Sequence, residues 1–228
     1  MKVRKITGIG VLLLADLVLC AILFCGRGRA QQEMYRQTSA SGQEVKKIAL
    51  TFDDGPNYKY TLPLLEGLRQ SNVKVTFFLL GQEVTEHPEI VKKIAQEGHM
   101  IGNHSYYHKN LCEMPRDEAI MQVSRTNEVI YEVTGQYPQL IRPPFGRAPE
   151  DLVYEPPMVE TLWTIDSRDW ELSDVGTIME NVLPNAEENA IILMHDSSQS
   201  SVQAALAIVD TLQERGYTFV TLDEILFD

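Results

Sequence analysis

Two adjacent carboxylates, Asp53 and Asp54, are followed later in the chain by two histidines four residues apart, His104 and His108. The apolar run at residues 48–50 indicates a buried strand that a Gly-Pro pair ends, so the two acids lie at the carboxyl end of a strand. One carboxylate and two imidazoles are the ligand set of a catalytic zinc site that keeps a position open for water. These residues therefore predict a hydrolytic metal centre.

The two carboxylates are expected to have different roles. Neighbouring side chains of an extended segment point in opposite directions, so Asp54 can bind the metal while Asp53 faces water and acts as the base. The spacing of four would bring His104 and His108 to one side of a helical turn. A histidine pair of this kind is equally typical of an ordinary surface helix, and the neighbouring carboxylates are what favour the metal site.

Arg142 is predicted to support the base. It precedes two prolines, which make a stiff turn that cannot continue a sheet, so its guanidinium is held in one place. There it would pair with Asp53 and keep that carboxylate ionised. Because the prolines carry no N–H, the backbone N–H of Phe145 is the donor that could receive a developing oxyanion. The alternative is a structural arginine whose partner is a helix C-terminus.

His195 is the predicted general acid. It follows a strongly apolar stretch, and Asp169 follows the strand predicted before it. If Asp169 accepts from one ring nitrogen, it raises the pKa of His195 and lets the other nitrogen protonate a leaving group. A histidine that merely packs after its strand is the alternative. Trp170 is expected to form a wall of the cleft, with a core tryptophan as its alternative.

From Lys46 onward, short apolar runs alternate with helical patterns. Seven strands are predicted, at Ile48–Phe52, Val73–Leu80, Met100–Asn103, a run ending at Ile141, Leu162–Ile165, Ala190–Met194 and Tyr217–Leu222. Helices are predicted at Leu62–Gln70, Glu89–Gln96, Asp117–Thr134, Thr177–Glu187 and Val202–Arg215. This alternation predicts an α/β fold, either an open doubly wound sheet or a (β/α) barrel. The candidate residues all follow strand ends, which converge on one rim in a parallel barrel, so the barrel is favoured.

The N-terminus predicts export. Residues 1–5 form a basic cytoplasmic end, and residues 6–24 are apolar apart from Asp16 and a few small residues. This segment predicts an uncleaved membrane-anchor helix, with a signal peptide cleaved after Gly28-Arg29-Ala30 as the alternative. In both cases the rest of the chain faces the outside. Residues 25–45 predict a flexible spacer, and residues 46–228 the catalytic domain.

The length of the chain and its net charge limit which domains and partners are expected. At 228 residues the chain can form one sizeable core, so one catalytic domain is expected. The protein is expected to be a monomer. The first 30 residues contain five of the 20 Lys and Arg but one of the 32 Asp and Glu, which leaves residues 31–228 with a formal charge of −16. This excess of acidic side chains argues against nucleic acid as a partner.

Five stretches together resemble the NodB-type polysaccharide deacetylases of carbohydrate esterase family 4. They are Thr51–Gly55, His104–His108, Arg142–Gly146, Asp169–Trp170 and Leu193–Asp196, in the family's order. The resemblance implies an irregular (β/α)7 barrel, Asp53 as base, His195 as acid, and release of acetate from acetylated sugars. It also implies one divalent ion at Asp54, His104 and His108: zinc, with cobalt, manganese or nickel as alternatives. Residues 147–162 contain several prolines where members of the family commonly have a regular helix, so an irregular or shortened element is expected. The length of substrate that the chain prefers therefore stays open.

These features predict an extracytoplasmic, membrane-tethered metal hydrolase that removes acetyl groups from N-acetylhexosamine units of cell-wall peptidoglycan. The tether favours a polymer close to the membrane. An esterase acting on O-acetylated, xylan-like sugars is the alternative among enzymes. A catalytically silent, tethered glycan-binding module is the alternative from another class, and such a module would be expected to have lost its base or a ligand.

Overall fold

The computed structural model describes residues 45–227, along which strands and α-helices alternate. The strands are β1 (Lys46–Asp53), β2 (Thr76–Leu79), β3 (Met100–Asn103), β4 (Leu140–Ile141), β5 (Val159–Glu160), β6 (Ile165–Asp166), β7 (Ile191–His195) and β8 (Tyr217–Phe219). The helices are α1 (Thr61–Gln70), α2 (Gly81–Glu86), α3 (Pro88–Gln96), α4 (Arg116–Thr134), α5 (Val175–Val182), α6 (Gln199–Glu214) and α7 (Asp223–Leu226). Two short 3-10 helices lie at Leu111–Glu113 and Pro144–Gly146.

The strands form one parallel sheet. Their order is β5-β4-β3-β2-β1-β7-β6, and β8 pairs with the first residues of β1. Within the described residues β5 and β6, the two ends of this order, do not pair, so the sheet is a half-barrel rather than a closed ring. The predicted α/β class and parallel sheet are confirmed, whereas the count of seven strands is wrong because residues 45–227 contain eight.

The extra strand arises where Leu162–Ile165 was predicted as one strand. Two short strands are present instead: β5 ends before this segment, and β6 begins at its last residue. The carbonyl groups of Thr161 and Leu162 accept hydrogen bonds from the Arg142 guanidinium at 3.1 and 3.0 Å. These two carbonyl groups bind the buried guanidinium instead of a neighbouring strand, so the hydrogen bonding between strands is interrupted there.

The central strand β1 is buried on both faces, which explains its continuous apolar run. Helices follow the signals in the sequence: Pro88 is the first residue of α3, and Gly135 ends α4 with φ 75°. Helix α5 ends at Val182, before the predicted Glu187. Pro184 follows closely, and without a backbone N–H it cannot continue the hydrogen bonds of the helix.

The predicted basic end, the anchor and the spacer apart from Val45 lie outside the described residues. Between residues 45 and 227, none of the helices is both long and apolar enough to cross a bilayer.

Candidate active site

The predicted site residues come together at one rim of the sheet. Asp53 and His195 are the last residues of the neighbouring strands β1 and β7, which pair in register at these two positions. His104 and Arg142 directly follow β3 and β4, which also pair. Parallel strands present their carboxyl ends on the same side, so residues far apart in the sequence face one cleft.

Asp53 and Asp54 do not diverge as an extended segment would require. Asp54 lies just beyond β1 and has φ 73°, in the left-handed region. Oδ2 of Asp53 is 3.7 Å from Nε2 of His104, and Oδ1 of Asp54 is 3.4 Å from the same atom. The prediction that alternation separates the carboxylates is therefore wrong, since a turn at Asp54 brings both to one imidazole.

His104 and His108 lie on an irregular loop, so the helical turn predicted from their spacing is wrong. Ser105 and His108 have φ 66° and 55°, which no right-handed helix contains. The loop nevertheless brings Nε2 of His108 to 3.4 Å from Oδ1 of Asp54. The imidazole rings of the two histidines have centroids 5.1 Å apart.

A hydrogen bond fixes the tautomer of His104. Its Nδ1 lies 2.6 Å from the carbonyl oxygen of Arg142. A carbonyl only accepts, so Nδ1 carries the proton and the lone pair of Nε2 faces Asp54. This is the arrangement in which a histidine binds a metal while its other nitrogen is held by a second group.

The residues fit a metal ion. Oδ1 of Asp54 is buried and has no hydrogen-bond partner, an arrangement that is costly unless a cation or water meets the oxygen. The ligand atoms of Asp54, His104 and His108 lie within 4.8 Å of one another. Burial raises the pKa of Asp54, but the adjacent imidazole of His104, followed by those of His108 and His195, outweighs burial and lowers the pKa to about 2. Asp54 is thus ionised, as a ligand must be.

Arg142 is fully buried beside Asp53. One Nη1 donates to Oδ1 of Asp53 at 2.7 Å and to Oγ1 of Thr51 at 2.8 Å. The guanidinium also lies over the ring of Phe78, 4.2 Å from its centroid. The predicted contact with Asp53 is present, and the alternative of a helix C-terminus as partner is wrong.

Asp169 holds His195 at two points. Its Oδ1 lies 2.8 Å from Nδ1 of the imidazole, and its Oδ2 accepts the backbone N–H of His195 at 2.8 Å. Burial lowers the pKa of His195, but the hydrogen bond and charge of Asp169, with the charges of Asp53 and Asp54, outweigh it and raise the pKa to about 9. Nε2, the free nitrogen, lies 4.0 Å from Oδ2 of Asp54 and faces the cleft.

Two exposed aromatic side chains belong to the segments that carry the site. Phe145 is 61% exposed, and its ring centroid lies 4.8 Å from that of His108. Trp170, next to Asp169, is 60% exposed, so the alternative of a core tryptophan is wrong. Such rings can cover the apolar face of a bound ligand.

Several buried polar residues that the sequence did not single out as site residues support the segments carrying the site. They are Thr51, Asn103, Gln122 and Ser167, together with Asp196, which accepts a hydrogen bond from Thr61. Ser167 donates to Asp169 at 3.2 Å. The signal that could have found them is a polar residue inside an apolar run, because a buried polar group requires a partner.

A second group could also hold a cation. Glu83, Glu86 and His87 have ligand atoms within 4.8 Å of one another, but all three are at least partly exposed. Exposed acidic groups of this kind are common without an ion. The predicted centre is distinguished by its buried, unpartnered oxygen.

Comparison with known proteins gives consistent matches. A family model described as polysaccharide deacetylase matches residues 40–155. A peptidoglycan-N-acetylglucosamine deacetylase of Bacillus cereus is 40% identical over 83% of this chain and 72% of its own length. The peptidoglycan-N-acetylmuramic acid deacetylase PdaC of Bacillus subtilis is 37% identical over 79% of this chain, which spans 38% of that relative.

Solved structures agree with these matches. The structure of PdaC superposes with a TM-score of 0.77 and 36% identity, covering 80% of this chain and 90% of the solved one. A pseudoenzyme of the same carbohydrate esterase family, from Bacillus anthracis, has a TM-score of 0.74 and 30% identity and covers 79% and 65%. Likeness in fold therefore does not by itself settle whether a chain is active.

Proposed function

The chain belongs to the polysaccharide deacetylase family, and from this premise we propose that it removes acetyl groups from N-acetylhexosamine units of cell-wall peptidoglycan. Family membership confirms the resemblance and the enzyme class inferred from the sequence. The relatives' names refer to both N-acetylglucosamine and N-acetylmuramic acid of peptidoglycan, which supports a wall glycan as the substrate.

Asp54, His104 and His108 would hold one divalent ion. We propose zinc, because a carboxylate and two neutral imidazoles suit it, with cobalt, manganese or nickel as alternatives. When bound, such an ion supplies a Lewis acid that polarises an acetyl carbonyl and makes water acidic enough to react near neutral pH.

The other residues account for the proton movements of amide hydrolysis. Asp53, held as a base by Arg142, takes the proton from the attacking water as its oxygen bonds to the acetyl carbon. The N–H of Phe145 stabilises the negative charge that develops on the carbonyl oxygen. Nε2 of His195 then gives its proton to the sugar nitrogen as the carbon–nitrogen bond breaks, which releases the amine and acetate.

The observation that carries this proposal is the unpartnered, buried Oδ1 of Asp54, which has Nε2 of both histidines at 3.4 Å. Asp53, which is paired with Arg142, and His195, which is paired with Asp169, both lie close to Asp54. Such a set pairs a metal site with one group ready to accept and another ready to donate a proton.

Acetate release from a panel of glycans tests the proposal. The panel contains N-acetylglucosamine oligomers, peptidoglycan with acetylated glucosamine or muramic acid, and acetyl-xylan, each assayed with and without a chelator. We expect chelator-sensitive release from the N-acetylated glycans. Release from acetyl-xylan alone would identify an O-acetyl esterase, and binding to glycans without any release would identify a silent module.

Asp169→Asn should shift the alkaline limb of the pH–rate profile to lower pH. Because the pKa of His195 is raised to about 9, the imidazole is protonated at neutral pH and loses its donor proton as the pH rises through that value. Removal of the Asp169 charge lowers this pKa, so activity falls earlier. The measurement is kcat/KM between pH 6 and 11, with the exposed Asp210→Asn as the matched control. A limb that does not move would separate Asp169 from His195.

We propose that residues 6–24 anchor the protein in the cell membrane, that residues 25–45 form a spacer, and that residues 46–228, as a monomer, act outside the cytoplasm. The length and apolarity of residues 6–24 support the anchor. The full-length protein should then sediment with membranes and resist extraction by high salt, since many buried apolar residues outweigh surface charge. A mature N-terminus at Gln31, found by sequencing protein from its host, would instead show a secreted enzyme.

A further inference from the structure

Helix α4 contributes none of the predicted catalytic residues, yet one of its buried side chains reaches the loop between the two histidine ligands. Oε1 of Gln122 accepts a hydrogen bond from the backbone N–H of Tyr107 at 3.0 Å. A backbone N–H only donates, so the oxygen of the carboxamide must face it. We propose that Gln122 is a positioning residue for the metal centre, acting through Tyr107 on its neighbour His108. The inference rests on the proposed function, which takes His108 as a metal ligand.

The peptide group between Tyr106 and Tyr107 is held at both ends. Its carbonyl oxygen accepts the N–H of Gln82, at the start of α2, at 3.2 Å, while its N–H donates to Gln122. A peptide group is a rigid plane, so two hydrogen bonds on opposite edges fix its rotation. This rotation sets the direction in which the chain enters His108.

The loop needs such support because it has no regular hydrogen-bond ladder. Ser105 and His108 both adopt left-handed torsions, which L-residues seldom adopt and which surrounding contacts must hold. The N–H of Ser105 donates to Oδ1 of Asn103 at 2.7 Å, and the carbonyl of Ser105 accepts the N–H of Gly81 at 3.0 Å. Hydrogen bonds to Asn103 and Gly81 therefore hold the loop next to His104, and the hydrogen bond to Gln122 holds it just before His108.

Close packing leaves little room for the loop to move. A Cβ placed on Gly81 would lie 2.4 Å from the ring of Tyr106 and 2.5 Å from Oγ1 of Thr126, so the start of α2, the loop and α4 meet without space for a side chain. The Arg125 guanidinium lies 3.7 Å from the ring centroid of Tyr106. Gln122 differs from these contacts because it is buried and bonds the backbone, so its loss frees a peptide group rather than a side chain.

Three variants of the full-length protein test this role. Gln122→Met keeps the length and apolar stem of the side chain but removes the acceptor oxygen, whereas Gln122→Glu keeps an acceptor. Glu132→Met introduces the same side chain at an exposed position of the same helix and serves as the matched control. For each, we would measure zinc affinity by competition with a chromophoric chelator, kcat and KM in saturating zinc, and thermal stability.

Gln122→Met should bind zinc about 10-fold more weakly or worse, as expected when a group that orients a metal ligand is lost. Its kcat should fall in saturating zinc with little change in KM, because the substrate cleft is unaltered. Gln122→Glu and Glu132→Met should keep zinc affinity near that of the wild-type protein. If Gln122→Met is too unstable to purify, Gln122→Asn, whose carboxamide ends one methylene short of Tyr107, should show the same loss.

Two results would overturn the inference in distinguishable ways. Wild-type zinc affinity in folded Gln122→Met, with lowered thermal stability alone, would show that Gln122 is merely structural. A wild-type protein that binds neither zinc nor cobalt, manganese or nickel would overturn the proposed metal centre itself, and with it any role of Gln122 toward that centre.

Discussion

His104→Ala should abolish zinc binding and deacetylation together. A three-ligand site has no redundancy, and His104 is the buried member whose tautomer is fixed by the carbonyl of Arg142. We expect zinc affinity to fall by more than about 10²-fold, the upper range for loss of a merely orienting group. Activity should reach background at zinc concentrations that saturate the wild-type protein. Equilibrium dialysis with metal analysis and an acetate-release assay are the two measurements.

The control for this prediction is His87→Ala, which belongs to the second group of possible ligands. It should leave zinc binding and activity unchanged. The opposite pattern, with zinc retained in His104→Ala and lost in His87→Ala, would move the metal to Glu83, Glu86 and His87. Full metal occupancy and turnover in His104→Ala would rule out the proposed centre.

Asp53→Asn should keep the metal but lower kcat by about 10²–10⁴-fold, the usual worth of a positioned general base. Asparagine retains an oxygen that can accept from Arg142, and the guanidinium keeps its bonds to Thr51 and to the carbonyls at residues 161 and 162. The local structure should therefore persist while the basic group is lost. The measurements are zinc content, kcat in saturating zinc, and thermal stability.

Asp210→Asn, an exposed change of the same kind, is the matched control and should be neutral. Metal lost along with activity in Asp53→Asn would mean that the roles of Asp53 and Asp54 are reversed. A large loss of thermal stability would point instead to the buried Arg142, because a buried cation without its anion destabilises the folded state.

The sequence by itself identified which residues meet in the cleft. Burial of β1 on both faces leaves a continuous apolar run, and the alternation of such runs with helical patterns specifies a parallel sheet. Parallel strands present their carboxyl ends at one rim, so the placement of Asp53, Arg142 and His195 follows from their positions after strands. Proline and glycine marked helix ends because their torsional limits are local.

Only the tertiary structure decided how those residues are oriented. The turn at Asp54, the irregular loop from His104 to His108 and the break between β5 and β6 all differ from the sequence prediction. The loop and the break depend on hydrogen bonds to residues distant in the chain, to Gln122 for the loop and to Arg142 for the break. Periodicity records which side chains are buried. It carries no information on loop torsions, because these are set by partners that meet only after the chain has folded.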